Sequence, residues 1–407
     1  MGLTTLFLDM NSYFASVEQQ LCPDLRGRPV GVVPVESESA CCIAASVEAK
    51  ARGVKTGMRV FEARRLCPHI RLVRARHRVY VEHHHKMLGA VETCTPIGAV
   101  HSIDEVSCRL MRGEREPEEA RALARRIKRA IRERVGSYVR CSVGIAPNRL
   151  LAKIATDLEK PDGLVVVEKH ELPHKLYTLD LIDIPGIGPR MLTRLHRRGI
   201  SSMEQLCALS EDLMGDIWGG VVGRRWFHLL RGEQILEKPT HRSSVGHQHV
   251  LPPEFRTDEG ALAVVIRLLH KAAARARHVR YQPRSVAFSV RFEDGGGWGA
   301  GAGLGHGCRD TLVMLGVLRR LWPARLAGTP KWVGVTLHEL VADHEATHPL
   351  FTHERNRSAL ADAMDRVNRR FGANTLYSAA MHDARNTGHG GVAFSSIPDL
   401  TFPDSVR

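Results

Sequence analysis

Residues 5–8, Thr-Leu-Phe-Leu, form a short apolar run that stops on Asp9. A run this short, bounded by a charge, predicts a buried first strand that delivers a carboxylate to its end. Strand and helix signals then alternate through residue 168. Residues 118–135 place Leu123, Ala124, Ile127, Ala130 and Ile131 on one helical face. Pro117 and two glutamates open that helix and Gly136 closes it. Residues 138–145 alternate like a strand, and 149–159 are again amphipathic, with Asn148 placed as N-cap. A β-rich run, 164–167, follows the Pro161-Asp162-Gly163 turn. The mixture predicts a sheet with helices on one face.

Residues 169–238 read as all-helical, with a Pro-Gly-Ile-Gly turn near their start. Residues 239–246 have linker composition, with a far end compatible with strand. A second α+β pattern follows: helix 259–278, strand 285–292, helix 311–322 and strand 332–340. The glycine-rich stretch 295–307 reads as a long hairpin tip or mobile loop. A last helix, 355–371, precedes a weakly patterned tail, and no internal repeat is visible. The 407 residues suffice for several cores, since one domain usually takes ~100–200.

Charge limits the partners. The chain carries a formal +14, which favours a polyanion, either nucleic acid or an acidic membrane surface. No apolar run approaches the roughly 20 residues that span a bilayer, and the N-terminus lacks signal-peptide features. Nine cysteines with no C-x-x-C pair fit neither a disulfide framework nor a zinc site. They read as reduced, buried small hydrophobes in a cytoplasmic protein.

Three stretches carry chemistry together. They are Leu8-Asp9-Met10-Asn11-Ser12-Tyr13-Phe14-Ala15-Ser16-Val17-Glu18, Ser102-Ile103-Asp104-Glu105, and Ser142-Val143-Gly144-Ile145-Ala146-Pro147-Asn148 continuing to Lys160-Pro161-Asp162-Gly163. Singly each is ordinary; in this order they resemble the signatures of the Y-family (translesion) DNA polymerases, bacterial DinB/UmuC-like branch. The resemblance covers about residues 4–343. It implies a multidomain α/β (α+β) fold, a right-hand polymerase. The ferredoxin-like palm would be 1–17 and 80–168, small fingers 18–79, and a helical thumb with a helix–hairpin–helix 169–238. Then follow a linker at 239–246, an α+β little finger at 247–343, and a C-terminal helix and tail at 344–407.

The implied function is template-directed, error-prone DNA synthesis across damage, adding dNTPs to a primer 3′ end by two-metal phosphoryl transfer. Such transfer needs charge neutralisation and in-line positioning more than covalent help, which two divalent ions can supply. Oxygen ligands suit Mg²⁺, two ions per site, with Mn²⁺ able to substitute. By resemblance, Asp9 and Asp104 bridge both metals, the Met10 carbonyl ligates one, and Glu105 helps bind the metal at the primer terminus. Adjacent strand residues point to opposite faces, so Glu105 must reach the site from a bend or strand end. No side-chain general base is implied.

The resemblance also assigns nucleotide contacts. Phe14 takes the place of the aromatic gate that rejects a ribose 2′-hydroxyl. Asn11, Ser12 and Tyr13 lie near the opening of a helix whose N–H groups favour phosphate, and Lys160 matches a palm lysine. The family's fingers commonly hold the triphosphate with Tyr and Arg three residues apart, whereas this chain has Val47 and Lys50. Lysine gives a point charge instead of a planar fork, so the grip is expected to be looser. The chain departs from the family again at Val106-Ser107-Cys108-Arg109-Leu110, after the acids.

Ile184-Pro185-Gly186-Ile187-Gly188-Pro189-Arg190 resembles a helix–hairpin–helix, making Gly186, Gly188 and Arg190 candidate DNA contacts. Arg275, Arg277, Arg280 and Arg284 are candidates for a phosphate track, a solvated helix face being the other reading. His83-His84-His85 reads as a solvated helix, because consecutive helical residues point in different directions. Thr347-His348-Pro349-Leu350-Phe351 stands where relatives carry a sliding-clamp peptide, of which only Leu350 and Phe351 remain. The expected partners are primer–template DNA and dNTP, with the sliding clamp a candidate through Leu350 and Phe351 (the other reading has Phe351 anchoring the last helix), no membrane, and a monomeric state. The main rival is a polymerase-like adaptor that binds damaged DNA and recruits another polymerase; such relatives lose acids that this chain keeps. A helix–hairpin–helix nuclease or glycosylase would leave the N-terminal signature unexplained.

Overall fold

The computed structural model describes residues 2–235, 242–347 and 352–387. Two compact units divide the chain, Met1–Glu237 and Lys238–Gly390. Among the described residues no helix is long and apolar enough to cross a membrane.

The first unit opens with β1 (Thr5–Met10) and α1 (Tyr13–Leu21). Next come β2 (Val30–Val33), β3 (Ala44–Ala45), α2 (Val47–Lys50), α3 (Val60–Leu66) and β4 (Arg71–Arg74). These strands make a small sheet, order β3-β2-β4, with its own core of Val33, Val54, Val60 and Ala63. The chain continues through α4 (His77–Glu92), β5 (Ala99–Val100), β6 (Glu105–Arg109), α5 (Pro117–Arg134), β7 (Cys141–Ala146), α6 (Arg149–Leu158) and β8 (Leu164–Val166). Here the main sheet has the order β5-β6-β1-β7-β8. Central β1 is antiparallel to both neighbours.

Alternation along β1 decides what each face meets. Leu6, Leu8 and Met10 pack into a core with Tyr80 and Met87 of α4 and Leu123 and Ile127 of α5. Phe7 instead packs with Leu151 and Ile154 of α6. The sheet is therefore covered on both faces, not on one as the sequence pattern predicts. The predicted cap is present: Asn148 Oδ1 accepts from Leu151 N at 3.0 Å and starts α6.

His83 and His84 are buried on α4, so the solvated reading of that triplet holds only for His85. Residues 169–235 are helical as expected, from several 3-10 turns to α7 (Pro189–His196), α8 (Met203–Cys207), α9 (Glu211–Trp218) and α10 (Val221–Leu230). Leu195, Met203, Leu206 and Met214 continue the core that begins at Phe7.

The second unit contains β9 (Ser244–Val250), α11 (Asp258–His278), β10 (Tyr281–Gln282), β11 (Ser285–Phe292), β12 (Gly297–Gly303), α12 (Thr311–Leu321), β13 (Pro330–His338), β14 (Val341–Ala342) and α13 (Thr352–Phe371). Four antiparallel strands, order β12-β11-β13-β9, bury Phe288, Val290 and Val335 with Val264, Leu268 and Leu269 of α11. The glycine-rich stretch is not a long loop: 297–303 pair with 285–291 as a full strand. The partner strand supplies the ladder that glycine's own propensity disfavours.

Arg277 also departs from expectation. It is 8% exposed and forks onto Asp365 of α13 at 2.7 and 2.9 Å, with further bonds to the Arg309 carbonyl and Thr311 Oγ1. A guanidinium so engaged is a structural tie and cannot line a phosphate track. Leu350 and Phe351, the candidate clamp residues, lie outside the described residues, as do positions 236–241 and 388–407.

Candidate active site

Directly opposed residues of an antiparallel pair share a face. The β1–β6 register sets Asp9 opposite Glu105, and the β1–β7 register sets Asp9 opposite Ser142. Asp9 and Glu105 therefore look out on the same side, the side covered by α6. Asp104 precedes β6 in a bend, where its carbonyl accepts from Met10 N at 2.9 Å. This is how neighbouring acids escape strand alternation: one is on the strand and the other in the bend before it.

That bend is held from behind. Ser102 Oγ donates to Asp104 Oδ1 at 2.5 Å. His84 Nδ1 lies 2.7 Å from the Ile103 carbonyl, and since a carbonyl only accepts, Nδ1 carries the proton. Burial lowers the His84 pKa, which favours this neutral form. Nothing in the sequence singled out His84 for the task; its motif-like neighbours His83 and His85 obscured it.

Two ammonium groups face the acids. Lys153 of α6 touches the Asp9 carboxylate, lies 2.9 Å from Glu105 Oε1 and 3.9 Å from Asp157 Oδ2. Lys160 lies 2.8 Å from Asp9 Oδ2 and 2.7 Å from Asp157 Oδ1. Burial alone would raise the Asp9 pKa, but Lys153 and Lys160 outweigh it and hold the carboxyl below its ordinary range. Asp104 goes the other way: burial, with Asp9 and Glu105 adding repulsion, raises it against the Ser102 hydrogen bond. Lys153 keeps its proton more tightly than a free lysine, because Asp9, Asp157 and Glu105 overcome the burial that would lower it. Among the described residues no three acidic, cysteine or imidazole side chains form a ready metal cage; Asp9 and Glu105 are turned to Lys153.

Lys153 and Asp157 were not among the sequence-predicted site residues. Their spacing, one turn apart on a helix rich in apolar residues, was the available signal. Asn11 spends its side chain on structure: Oδ1 accepts from Asp162 N at 2.7 Å and Nδ2 donates to Ser142 Oγ at 3.0 Å. It thereby ties the Lys160 turn to β1.

A cleft of about 540 Å³ opens beside the acids, and Phe14, Val47, Lys50, Lys160, Asp9 and Asp104 all reach its wall. Ser12, in the left-handed region at φ 50°, turns the chain sharply from β1 into α1 so that the helix opens at this cleft. Phe14 is 2% exposed and stacks on Tyr80, ring centroids 4.4 Å apart. Tyr80 is fixed in turn, its hydroxyl donating to Glu18 Oε1 at 2.7 Å. Val47 is 40% exposed at the start of α2, leaving an aliphatic surface where the family commonly has a phenol.

Residues 8–157 match the impB/mucB/samB family, and residues 242–350 match that family's C-terminal domain. DNA polymerase IV of Moorella thermoacetica is 35% identical over 402 residues, covering 95% of this chain and 98% of that protein. DNA polymerase IV of Pelotomaculum thermopropionicum is 30% identical over 393 residues, covering 92% and 94%. Among solved structures, a Y-family DNA polymerase chimera of Dbh and Dpo4 aligns with TM-score 0.69 at 27% identity, covering 83% of this chain and 99% of that one. The chain belongs to the Y-family DNA polymerases.

It is a DNA-directed DNA polymerase of the translesion class, and membership of the family implies a divalent-metal requirement. The adaptor reading is not favoured, since relatives spanning nearly the whole chain carry the polymerase name. In this Y-family chain the turn 184–188 leads into α7, with Gly188 as its N-cap. Gly186 adopts φ +100° against Trp226, where a β-carbon would meet the indole at 2.8 Å. Arg190, Arg197 and Arg198 are exposed beside it.

Proposed function

We propose that this polymerase extends a primer 3′ end with dNTPs at the cleft beside Asp9, Asp104 and Glu105. Asp9, Asp104, Glu105 and the Met10 carbonyl would hold two Mg²⁺ ions, or Mn²⁺ in their place. The observation that carries the reading is the shared face of Asp9 and Glu105 with Asp104 hydrogen-bonded to Met10 beside them. The hard oxygens of Asp9 and Glu105 already draw two ammonium groups, so positive charge is favoured where a divalent ion would be held. When bound, the ions supply charge neutralisation at the attacking and leaving oxygens.

The remaining roles belong to the chain's own residues. Lys50, Lys160 and the backbone N–H groups at Ser12 and Tyr13 would receive the triphosphate, aided by the partial positive charge at the start of α1. Asn11 would act by holding the Lys160 turn. Phe14, clamped by Tyr80, is rigid enough to exclude a ribose 2′-hydroxyl. Gly186, Gly188 and Arg190 would grip the DNA backbone through N–H groups and charge.

Palm, fingers, thumb and little finger are assigned as 1–17 with 80–168, 18–79, 169–238 and 247–343. The small sheet β2–β4 falling wholly within 18–79 supports the fingers, and the main sheet supports the palm. Primer–template DNA and dNTP are the proposed partners, a reading supported by a Dbh DNA polymerase relative solved as an insertion ternary complex with TM-score 0.58. The polymerase would work as a monomer in the cytoplasm, and a reducing compartment accords with its nine free thiols.

Primer extension by the full chain with Mg²⁺ and each dNTP tests the reading, beside Asp104→Ala/Glu105→Ala. Extension by the wild type and none by the double variant is expected. Extension that persists in the variant, or a wild type that binds DNA without extending it, overturns the assignment.

A further inference from the structure

Lys153 fits none of the roles assigned above, yet its ammonium joins two of the three acids. Its ammonium touches Asp9, lies 2.9 Å from Glu105 Oε1 and sits 5.7 Å from the centre of the Phe7 ring. Those are oxygens assigned to the divalent cation. A lysine ammonium and a metal ion compete for the same pair of carboxylates, because two cations at contact distance repel each other and crowd the same oxygens.

The lysine also has somewhere else to go. Asp157, one turn further along α6, already approaches Lys153 at 3.9 Å and holds Lys160 at 2.7 Å. Closing that gap to hydrogen-bond length needs about 1 Å of side-chain movement. The backbone cannot provide the motion, since Gly144 seats α6 directly on β7. The movement is therefore confined to the flexible stem of Lys153.

Charge balance points the same way. Asp9, Asp104, Glu105 and Asp157 can bring four negative charges, against one each on Lys153 and Lys160 and one on Lys50, which lies close enough to interact with Asp9 and Asp104. Side-chain exposure of Lys153 and Asp9 is 17% and 10%, so water screens their interaction poorly. Removing Lys153 would leave Glu105 without an ammonium partner and Asp9 with Lys160 alone, so the acids would repel one another more strongly until a further cation bound.

We propose that Lys153 is a built-in competitor for the divalent cation at Asp9 and Glu105, and that Asp157 is the carboxylate onto which it retires when that cation binds. This rests on the metal-site reading of Asp9 and Glu105. Lys153 stays charged throughout; only its partner changes. It is thus a positioning residue that keeps the acids assembled, raises the metal concentration at which the site fills, and then joins Lys160 on Asp157. Asp157 in turn sets how readily Lys153 lets go.

The test is direct Mn²⁺ binding to the full chain without DNA or nucleotide, by electron paramagnetic resonance, together with thermal unfolding in chelator. Lys153→Met should bind Mn²⁺ about tenfold more tightly, a coupling of the size that contacting charges show. It should also unfold several degrees lower in chelator, a deficit that added Mn²⁺ removes. Asp157→Asn, which keeps the lysine but removes its refuge, should bind Mn²⁺ several-fold more weakly. It also reports independently of whether Lys153→Met folds. Lys153→Arg should bind as the wild type does, since a cation still competes.

Unchanged or weaker Mn²⁺ binding by a folded Lys153→Met overturns the competition. Unchanged or tighter binding by Asp157→Asn overturns the retirement step. Asp9→Asn separates the two levels. If it abolishes Mn²⁺ binding while Lys153→Met changes nothing, the metal site stands and this inference falls. If Asp9→Asn leaves binding intact, the metal-site reading itself falls.

Discussion

Gly144 of β7 lies so close beneath Ala152 of α6 that a β-carbon on it would sit 2.0 Å from the Ala152 carbonyl oxygen. The same contact sets the depth of α6 on the sheet, and with it the position of Lys153 over Asp9. Gly144→Ala is therefore expected to destabilise the chain by about 3 kcal/mol, the upper range for overpacking, and to lower polymerase activity. Urea unfolding checks the first part. Gly89→Ala is the control: nothing lies within 4 Å of its added carbon, and in the interior of α4 it should stabilise by about 0.8 kcal/mol.

Phe14 and Tyr80 are stacked at 4.4 Å, so the proposed gate is rigid. Phe14→Ala should lower the ratio of kcat/KM for a dNTP over its rNTP by about tenfold or more in single-nucleotide insertion. It should also cost about 3 kcal/mol of stability through the lost packing. A destabilised variant with unchanged sugar discrimination would leave Phe14 as a core aromatic only.

Arg277 and Arg190 separate a structural cation from a proposed DNA-binding one. Arg277→Ala leaves Asp365 without its fork and should cost about 3 kcal/mol, seen as a lower Tm. Arg190→Ala should leave Tm nearly unchanged and reduce the slope of log Kd for duplex DNA against log salt by about one. An equal loss of slope in both variants would contradict the burial of Arg277.

His247 and His270 predict how the chain responds to acid. Burial comes first, then Lys271, Arg275 and Arg267 around His247, holding it at about 3. Burial and Arg277 hold His270 at about 4 against Asp365. Both are neutral when folded but would take a proton near 6.5 when unfolded. The unfolded chain therefore binds more protons between those limits, and stability must fall as pH drops from about 6.5. Each group contributes a slope of at most about 1.4 kcal/mol per pH unit. Thermal unfolding at pH 7.5, 6 and 5 should show the fall, and His247→Gln should flatten it; a parallel loss in the variant would assign the slope elsewhere.

Much of the site was legible beforehand for a physical reason. Asp9, Phe14, Asp104 and Lys160 sit in short segments whose local geometry, strand end, helix start, bend and turn, is set by neighbours in sequence. All four line one cleft. Lys153 and Asp157 were not legible, because their meaning depends on which face of the sheet α6 covers. Periodicity identified α6 as a helix but could not place it opposite α4 and α5. The glycine strand β12 was misread for a related reason: propensity is local, whereas its pairing with β11 is not.

Arg275, Arg277, Arg280 and Arg284 make the same point in the second unit. Along the chain they are equivalent cations, and only the seat of α13 turns Arg277 into a buried tie.

The amino-acid sequence by itself determined the chemistry available: three acids, an aromatic gate candidate, a lysine turn and a glycine hairpin, each in a segment short enough to shape itself. Tertiary structure alone decided which charges meet. Contacts such as Lys153 with Asp9 close loops of more than a hundred residues, and they form only when sheet faces are chosen and packed. Whether a cation there faces water, DNA or a carboxylate is settled by that packing, and by nothing the local pattern encodes.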